Sequence, residues 1–153
     1  MDRREMLGVL GATAAGLTAT GGSAAVAQHH EDDIHEKCAE ACVTCAKACN
    51  QGFHHCYKMV LEGQKEHAKS MHILADCGDI CSTAGKLVAR MSPLMVHTCH
   101  ACGESCDDTL KVVEPLHKGH TGEMHAVIET LQKCRDACRE MVKKMGGHAH
   151  AHD

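Results

Sequence analysis

Residues 37–50 read KCAEACVTCAKACN, and the spacing of Cys38, Cys42, Cys45 and Cys49 leaves this stretch one suitable backbone. Steps of four, three and four residues place all four side chains on one face of an α-helix, but on both faces of a strand. The intervening Ala, Lys and Glu are strong helix formers. The face that a core helix normally fills with leucine carries thiols instead.

The same rhythm recurs along the chain. Cys56 extends the first seam. Met71, Leu74, Cys77, Cys81, Ala84, Val88 and Met91 make a second, and Met95, Cys99, Cys102, Cys106, Leu110 and Val113 a third. Met124, Ile128, Leu131, Cys134, Cys138, Met141 and Met145 make a fourth. Each seam has the 3.5-to-3.6-residue period of a helix with one buried face. Helices are expected over about 32–61, 65–90, 92–114 and 121–145. Gly63, Pro115 and Gly146-Gly147 act as stops, Ser92-Pro93 as an N-cap and N1 pair, and Thr121 as an N-cap. Four such helices joined by short loops predict an all-α fold, an antiparallel four-helix bundle with a cysteine-lined core.

The flanks read differently. Arg3-Arg4, an apolar small-residue stretch over 7–19 and the A-x-A pattern Ala25-Val26-Ala27 predict a twin-arginine export signal over residues 1–27. The apolar run is too short for a transmembrane span, so no stable membrane insertion is expected once the signal is removed. That route carries folded proteins, so the thiols would meet a reducing cytosol before a periplasmic or extracytoplasmic destination. Residues 28–36 form a polar lead-in, residues 37–146 the bundle, and residues 147–153 a His-rich tail. His29, His30, His148, His150 and His152 read as exposed, and His35 as solvated. The formal net charge of −4 offers no basic footprint for nucleic acid. No nucleophile–base pair in a loop and no phosphate-cradling glycine motif suggests an enzyme.

Twelve cysteines and nine methionines stand beside one Tyr, one Phe and no Trp, so sulfur takes the place of aromatic core residues. Neighbours at i and i+4 have Cβ atoms about 5–6 Å apart. A metal holding two sulfurs at about 2.3 Å each spans up to ~4.6 Å. Cys38/Cys42, Cys45/Cys49, Cys77/Cys81, Cys102/Cys106 and Cys134/Cys138 could therefore each grip a two-coordinate ion. Cys42/Cys45 and Cys99/Cys102 link neighbouring pairs. Soft thiolates suit Cu(I), Zn(II) or iron–sulfur clusters. Zinc needs four ligands and would draw on a second helix. Iron–sulfur clusters usually take cysteines from loops that wrap around them. Cu(I) accepts two or three sulfurs, and bridging thiolates would bring loading towards about one ion per cysteine while keeping the buried charge near zero. Unloaded thiols stay protonated when buried and pack as small apolar groups, so the metal-free chain is expected to be helical. An iron–sulfur or zinc-thiolate redox protein, and a disulfide-stabilised helical interaction domain, remain alternatives at this point.

CAEACVTCAKAC, HCYKM at 55–59, CGDIC at 77–81, CHACGESC at 99–106 and CRDAC at 134–138 resemble the bacterial copper storage proteins, and the export signal resembles their exported branch. The resemblance implies a four-helix bundle binding multiple Cu(I) ions per chain. Its ligands would be Cys38, Cys42, Cys45, Cys49, Cys56, Cys77, Cys81, Cys99, Cys102, Cys106, Cys134 and Cys138. It implies a homotetramer that sequesters copper outside the cytoplasm, with an exported copper-accepting enzyme as a further partner. It also implies a His- and Met-lined mouth at one end. HCxxM places His55, Cys56 and Met59 there, and antiparallel order brings His67, Met71, His117, His120 and Met124 to the same end. Met91, Met95, Met141 and Met145 read as a plug at the other.

Overall fold

The computed structural model describes residues 22–117 and 122–146, with side chains described over 33–117 and 122–145. Four helices follow one another, α1 (Gly22–Leu61), α2 (His67–Ala89), α3 (Met95–Leu116) and α4 (Glu123–Gly146), and the described residues include no strand. Each packs on the next and α4 closes back on α1, without close backbone approach across either diagonal. This is the expected four-helix bundle. Among the described residues, no helix is long and apolar enough to cross a membrane.

The helix boundaries differ from the sequence expectation at several points. α1 begins at Gly22 and takes in the polar stretch 28–36, a run without proline that includes the good helix formers Gln and Glu. Ala25-Val26-Ala27 lies within this helix, whereas Arg3-Arg4 and the stretch 7–19 lie outside the described residues. Pro115 does not stop α3 but sits in its last turn. A proline there removes one bond at a frayed end, and the His117 N–H caps the Val113 and Glu114 carbonyls at 3.2 and 3.3 Å. α4 begins after Gly122, whose carbonyl accepts from His125 and Ala126, while Thr121 lies outside the described residues.

Two turns of the same design connect the first three helices. After α1 the Gln64 N–H reaches the Met59 carbonyl at 2.9 Å and the Gly63 N–H reaches Val60 at 3.0 Å. Gly63 supplies the left-handed conformation this termination requires, with φ of +92°. After α2 the Ser92 N–H bonds to Leu87 at 3.0 Å and the Met91 N–H to Val88 at 2.9 Å. Here the left-handed residue is Met91, with φ of +52°. Being in the turn, Met91 is 53% exposed and neither lies on the α2 seam nor plugs the bundle. The turn also delays α3, so Ser92-Pro93 do not cap it. The Ser92 hydroxyl instead accepts the Leu94 N–H at 3.3 Å, and the helix starts at Met95.

The seams otherwise face inward. Leu74, Cys77, Cys81, Ala84 and Val88 of α2 are buried, as are Met95, Cys99, Cys102, Cys106, Leu110 and Val113 of α3. On α4 the fully buried place belongs to Val127 and not Ile128, which packs at the edge of the core. The seam there steps 124, 127, 131, 134, 138 and 141, alternating three and four. Arg135 and Arg139 of α4 both pair with Asp107, tying the outer faces of α3 and α4.

α1 and α2 approach closely because Gly85 faces α1. A Cβ at Gly85 would lie 3.0 Å from Val43 Cγ2, 3.2 Å from Cys42 Cβ and 3.3 Å from the Ala39 carbonyl oxygen. Val43 can swing outward, but the backbone oxygen cannot. Gly85→Val should therefore push the two helices apart and cost about 1–3 kcal/mol, measured by urea unfolding of the metal-free reduced protein.

Candidate metal centre

All twelve cysteines are buried and carry free thiols. Eleven of them each have another sulfur within 4.0 Å, and contacts within 4.8 Å join them into a continuous row. At one end Cys38 meets Cys99 at 3.7 Å. Cys42 then meets Cys138 at 3.5 Å and Cys134 at 3.9 Å. Cys102 lies 3.4 Å from Cys81 and 3.8 Å from Cys134. Cys106 lies 3.9 Å from both Cys77 and Cys81, and Cys45 meets Cys49 at 4.0 Å. These separations are far beyond a disulfide bond of about 2.05 Å. They fall within the ~4.6 Å that two sulfurs on one metal can span.

The helical spacing anticipated pairs within a helix, and two of these close directly, Cys45/Cys49 at 4.0 Å and Cys77/Cys81 at 3.9 Å. Elsewhere the sulfurs reach across helices, as Cys38 does to Cys99 and Cys42 to Cys138. The larger groupings were not legible in the spacing. Cys42, Cys102, Cys134 and Cys138 form one set whose sulfurs all lie within 4.8 Å of one another, and Cys45, Cys81, Cys106 and Cys134 form a second. Cys134 belongs to both. Cys38, Cys99 and Cys138 form a third set, overlapping the first at Cys138.

Hydrogen bonding between thiols divides the row electrostatically. Hydrogen bonding with Cys106, joined by Cys45, Cys49 and Cys81, holds the Cys77 thiol below its ordinary pKa. Hydrogen bonding with Cys102, joined by Cys106 and Cys134, pushes Cys81 above its own. A metal entering the row must displace the protons that these bonds hold.

Cys56 is placed otherwise. Its thiol has no sulfur neighbour at hydrogen-bonding distance among the described residues, and burial alone pushes its pKa up to about 11. It sits with His67 and His117, the three ligand atoms lying within 4.8 Å of one another. His67 opens α2 and His117 caps α3, so two helix ends deliver the imidazoles to the last turns of α1. The two rings are 5.2 Å apart between centroids, and His55 stands 6.1 Å from His67 and 5.8 Å from His117. His55 Nδ1 also lies 3.8 Å from Glu123 Oε2. A cavity of about 310 Å³ opens here, lined by His55, Met59, His67, His117 and Met124 together with Gln64, Glu66, Leu116 and Glu123.

Five of the seven residues expected at a mouth thus share one cavity. Met71 does not line it, but packs against the core, because His67, Ser70 and Leu74 take the buried face of α2. His120 lies outside the described residues, as do His148, His150, His152 and the side chains of His29 and His30. His35, expected to be solvated, is buried at 5% exposure. It precedes Cys38 by three residues, hence one turn along the same face, and lines a surface groove beside Val88 and Met91.

A protein-family model described as copper storage protein matches residues 30–143. The uncharacterized cysteine-rich protein YhjQ of Bacillus subtilis (strain 168) is 40% identical over 108 residues, covering 69% of this chain and 94% of the relative. No solved structure matches the chain. With a match over most of its length and a core built from buried thiols, the chain belongs to the copper storage protein family.

Proposed function

We propose that this protein stores copper as Cu(I), close to one ion per cysteine, on thiolates lining the bundle. The observation that carries this reading is the row of eleven buried thiols, each 3.4–4.0 Å from its nearest neighbour and all linked by contacts within 4.8 Å. A sulfur that bridges two ions neutralises part of each, so one Cu(I) per thiolate keeps the tube near zero charge. The protein binds and releases, and performs no catalysis. The twin-arginine pair and Ala25-Val26-Ala27 favour export in the folded state to the periplasm or another extracytoplasmic space. There the stored copper would supply exported cuproenzymes or be kept out of harm, and the chain would act as a homotetramer like the family it resembles. His55, Met59, His67, His117 and Met124 form the mouth through which the ions pass.

A zinc-thiolate reading has its own support, since each four-cysteine set could surround a tetrahedral ion. The two sets together use only seven of the twelve thiols and compete for Cys134. Anaerobic titration with Cu(I) against a chromogenic chelator separates the readings. Storage predicts saturation near twelve ions per chain, matching the twelve cysteines. Saturation at one or two ions would reject it. Circular dichroism of the metal-free reduced chain should already show the full helical signal, because protonated thiols pack as apolar groups.

A further inference from the structure

Cys56 is cut off from the thiol row. It follows Cys49 by seven residues, a helical rise of about 10 Å. Between them, a Cβ added at Gly52 would lie 3.1 Å from Leu74 Cδ1 and 3.3 Å from Val127 Cγ1, so apolar side chains from α2 and α4 meet over that stretch of α1. The neighbours of Cys56 are the imidazoles of His67 and His117. Met124, only 3% exposed, and Met59 line the cavity that these two histidines also line.

One thiolate, two imidazoles and a weak thioether make a different donor set from a row of sulfurs. Thiolates alone select Cu(I), while two His, one Cys and a distant Met make the set that holds copper in its oxidised state as well. The carboxylates of Glu66 and Glu123 on the cavity wall favour a dication over a monovalent ion. We propose that Cys56, His67 and His117, with Met124 or Met59 as a weak fourth ligand, form a one-ion Cu(II) site at the mouth, separate from the Cu(I) row. The chain then has a place for copper in the oxidation state that prevails in an oxidising compartment.

The test rests on the storage reading at one point, because the row must first be filled to remove its free thiols. The reduced protein is loaded anaerobically with eleven equivalents of Cu(I), one for each cysteine other than Cys56. One equivalent of Cu(II) follows. The expected result is an intense visible thiolate-to-Cu(II) charge-transfer band and a protein-bound paramagnetic resonance signal that integrates to the added copper. Cys56→Ser should keep the bound signal and lose the band. His67→Ala with His117→Ala should lose both and leave aqueous Cu(II). A wild-type spectrum of aqueous Cu(II), a band that survives Cys56→Ser, or disappearance of the signal on mixing would each overturn the proposal. If the row does not retain Cu(I), the storage reading fails on its own, and the mouth is then tested with Co(II) on the metal-free chain. The double histidine variant must bind one Co(II) fewer than wild type and Cys56→Ser must bind that ion more weakly, and unchanged binding in both overturns the site.

Discussion

Replacing Cys134 by Ser lowers the Cu(I) capacity by about two to three ions per chain, whereas Cys56→Ser lowers it by about one at most. The difference follows from position. Cys134 belongs to both four-thiol sets and lies 3.8 Å from Cys102, 3.9 Å from Cys42 and 4.0 Å from Cys81. Every ion bridged through that sulfur loses a ligand when it goes, and a bridging thiolate serves more than one ion. Cys56 has no sulfur neighbour at bonding distance to share with. Native mass spectrometry after anaerobic loading counts bound copper directly, and circular dichroism confirms that the nearly isosteric Ser leaves the bundle intact. A loss of one ion at both positions would mean that each cysteine serves a site of its own, and the shared row would have to be abandoned.

Leu74→Ala should destabilise the metal-free reduced protein by about 2–5 kcal/mol, as deletion of a fully buried leucine does elsewhere. Among the described residues, Leu74 and Leu131 are the largest fully buried side chains, in a core otherwise built largely from small thiols. Each therefore contributes a large share of the apolar area that holds the helices together. Gly52 opposite Leu74 has no side chain with which to fill the space left behind. Urea unfolding followed by circular dichroism should show a lower midpoint with an unchanged slope. A loss below about 1 kcal/mol would show that the helices collapse onto the gap, so that the collar between the row and the mouth is not a rigid layer.

Much of this architecture can be read from residue spacing. KCAEACVTCAKACN and its three counterparts place Cys on one helical face because 3.6 residues make a turn, and a face of buried groups needs partner faces. Four seams with short connections leave little but an antiparallel bundle. Failures cluster where one or two residues decide a turn. Met91 fits the α2 seam by count, yet hydrogen bonds to Leu87 and Val88 end the helix there, place Met91 in a left-handed conformation and expose it. Ile128 fits the α4 seam as well as Val127 does by period, and only packing against α1 chose between them. Pro115 reads as a stop because it lacks an N–H, but at a last turn that loss costs too little to end the helix.

The sequence by itself determined most of the residues that enter the core and that sulfur prevails among them, because helical period and residue type are local properties. It also brought the His- and Met-bearing helix ends together, since antiparallel order follows from connection length. The tertiary structure alone decided how the sulfurs group. Which thiol faces which depends on the relative height and rotation of four helices, set by contacts such as Gly85 against Ala39 and Leu74 over Gly52. A shift of one turn, about 5.4 Å, exceeds the span of a sulfur–metal–sulfur bridge. Packing thus made Cys134 a shared corner and left Cys56 to two histidines, a division that no spacing along the chain records.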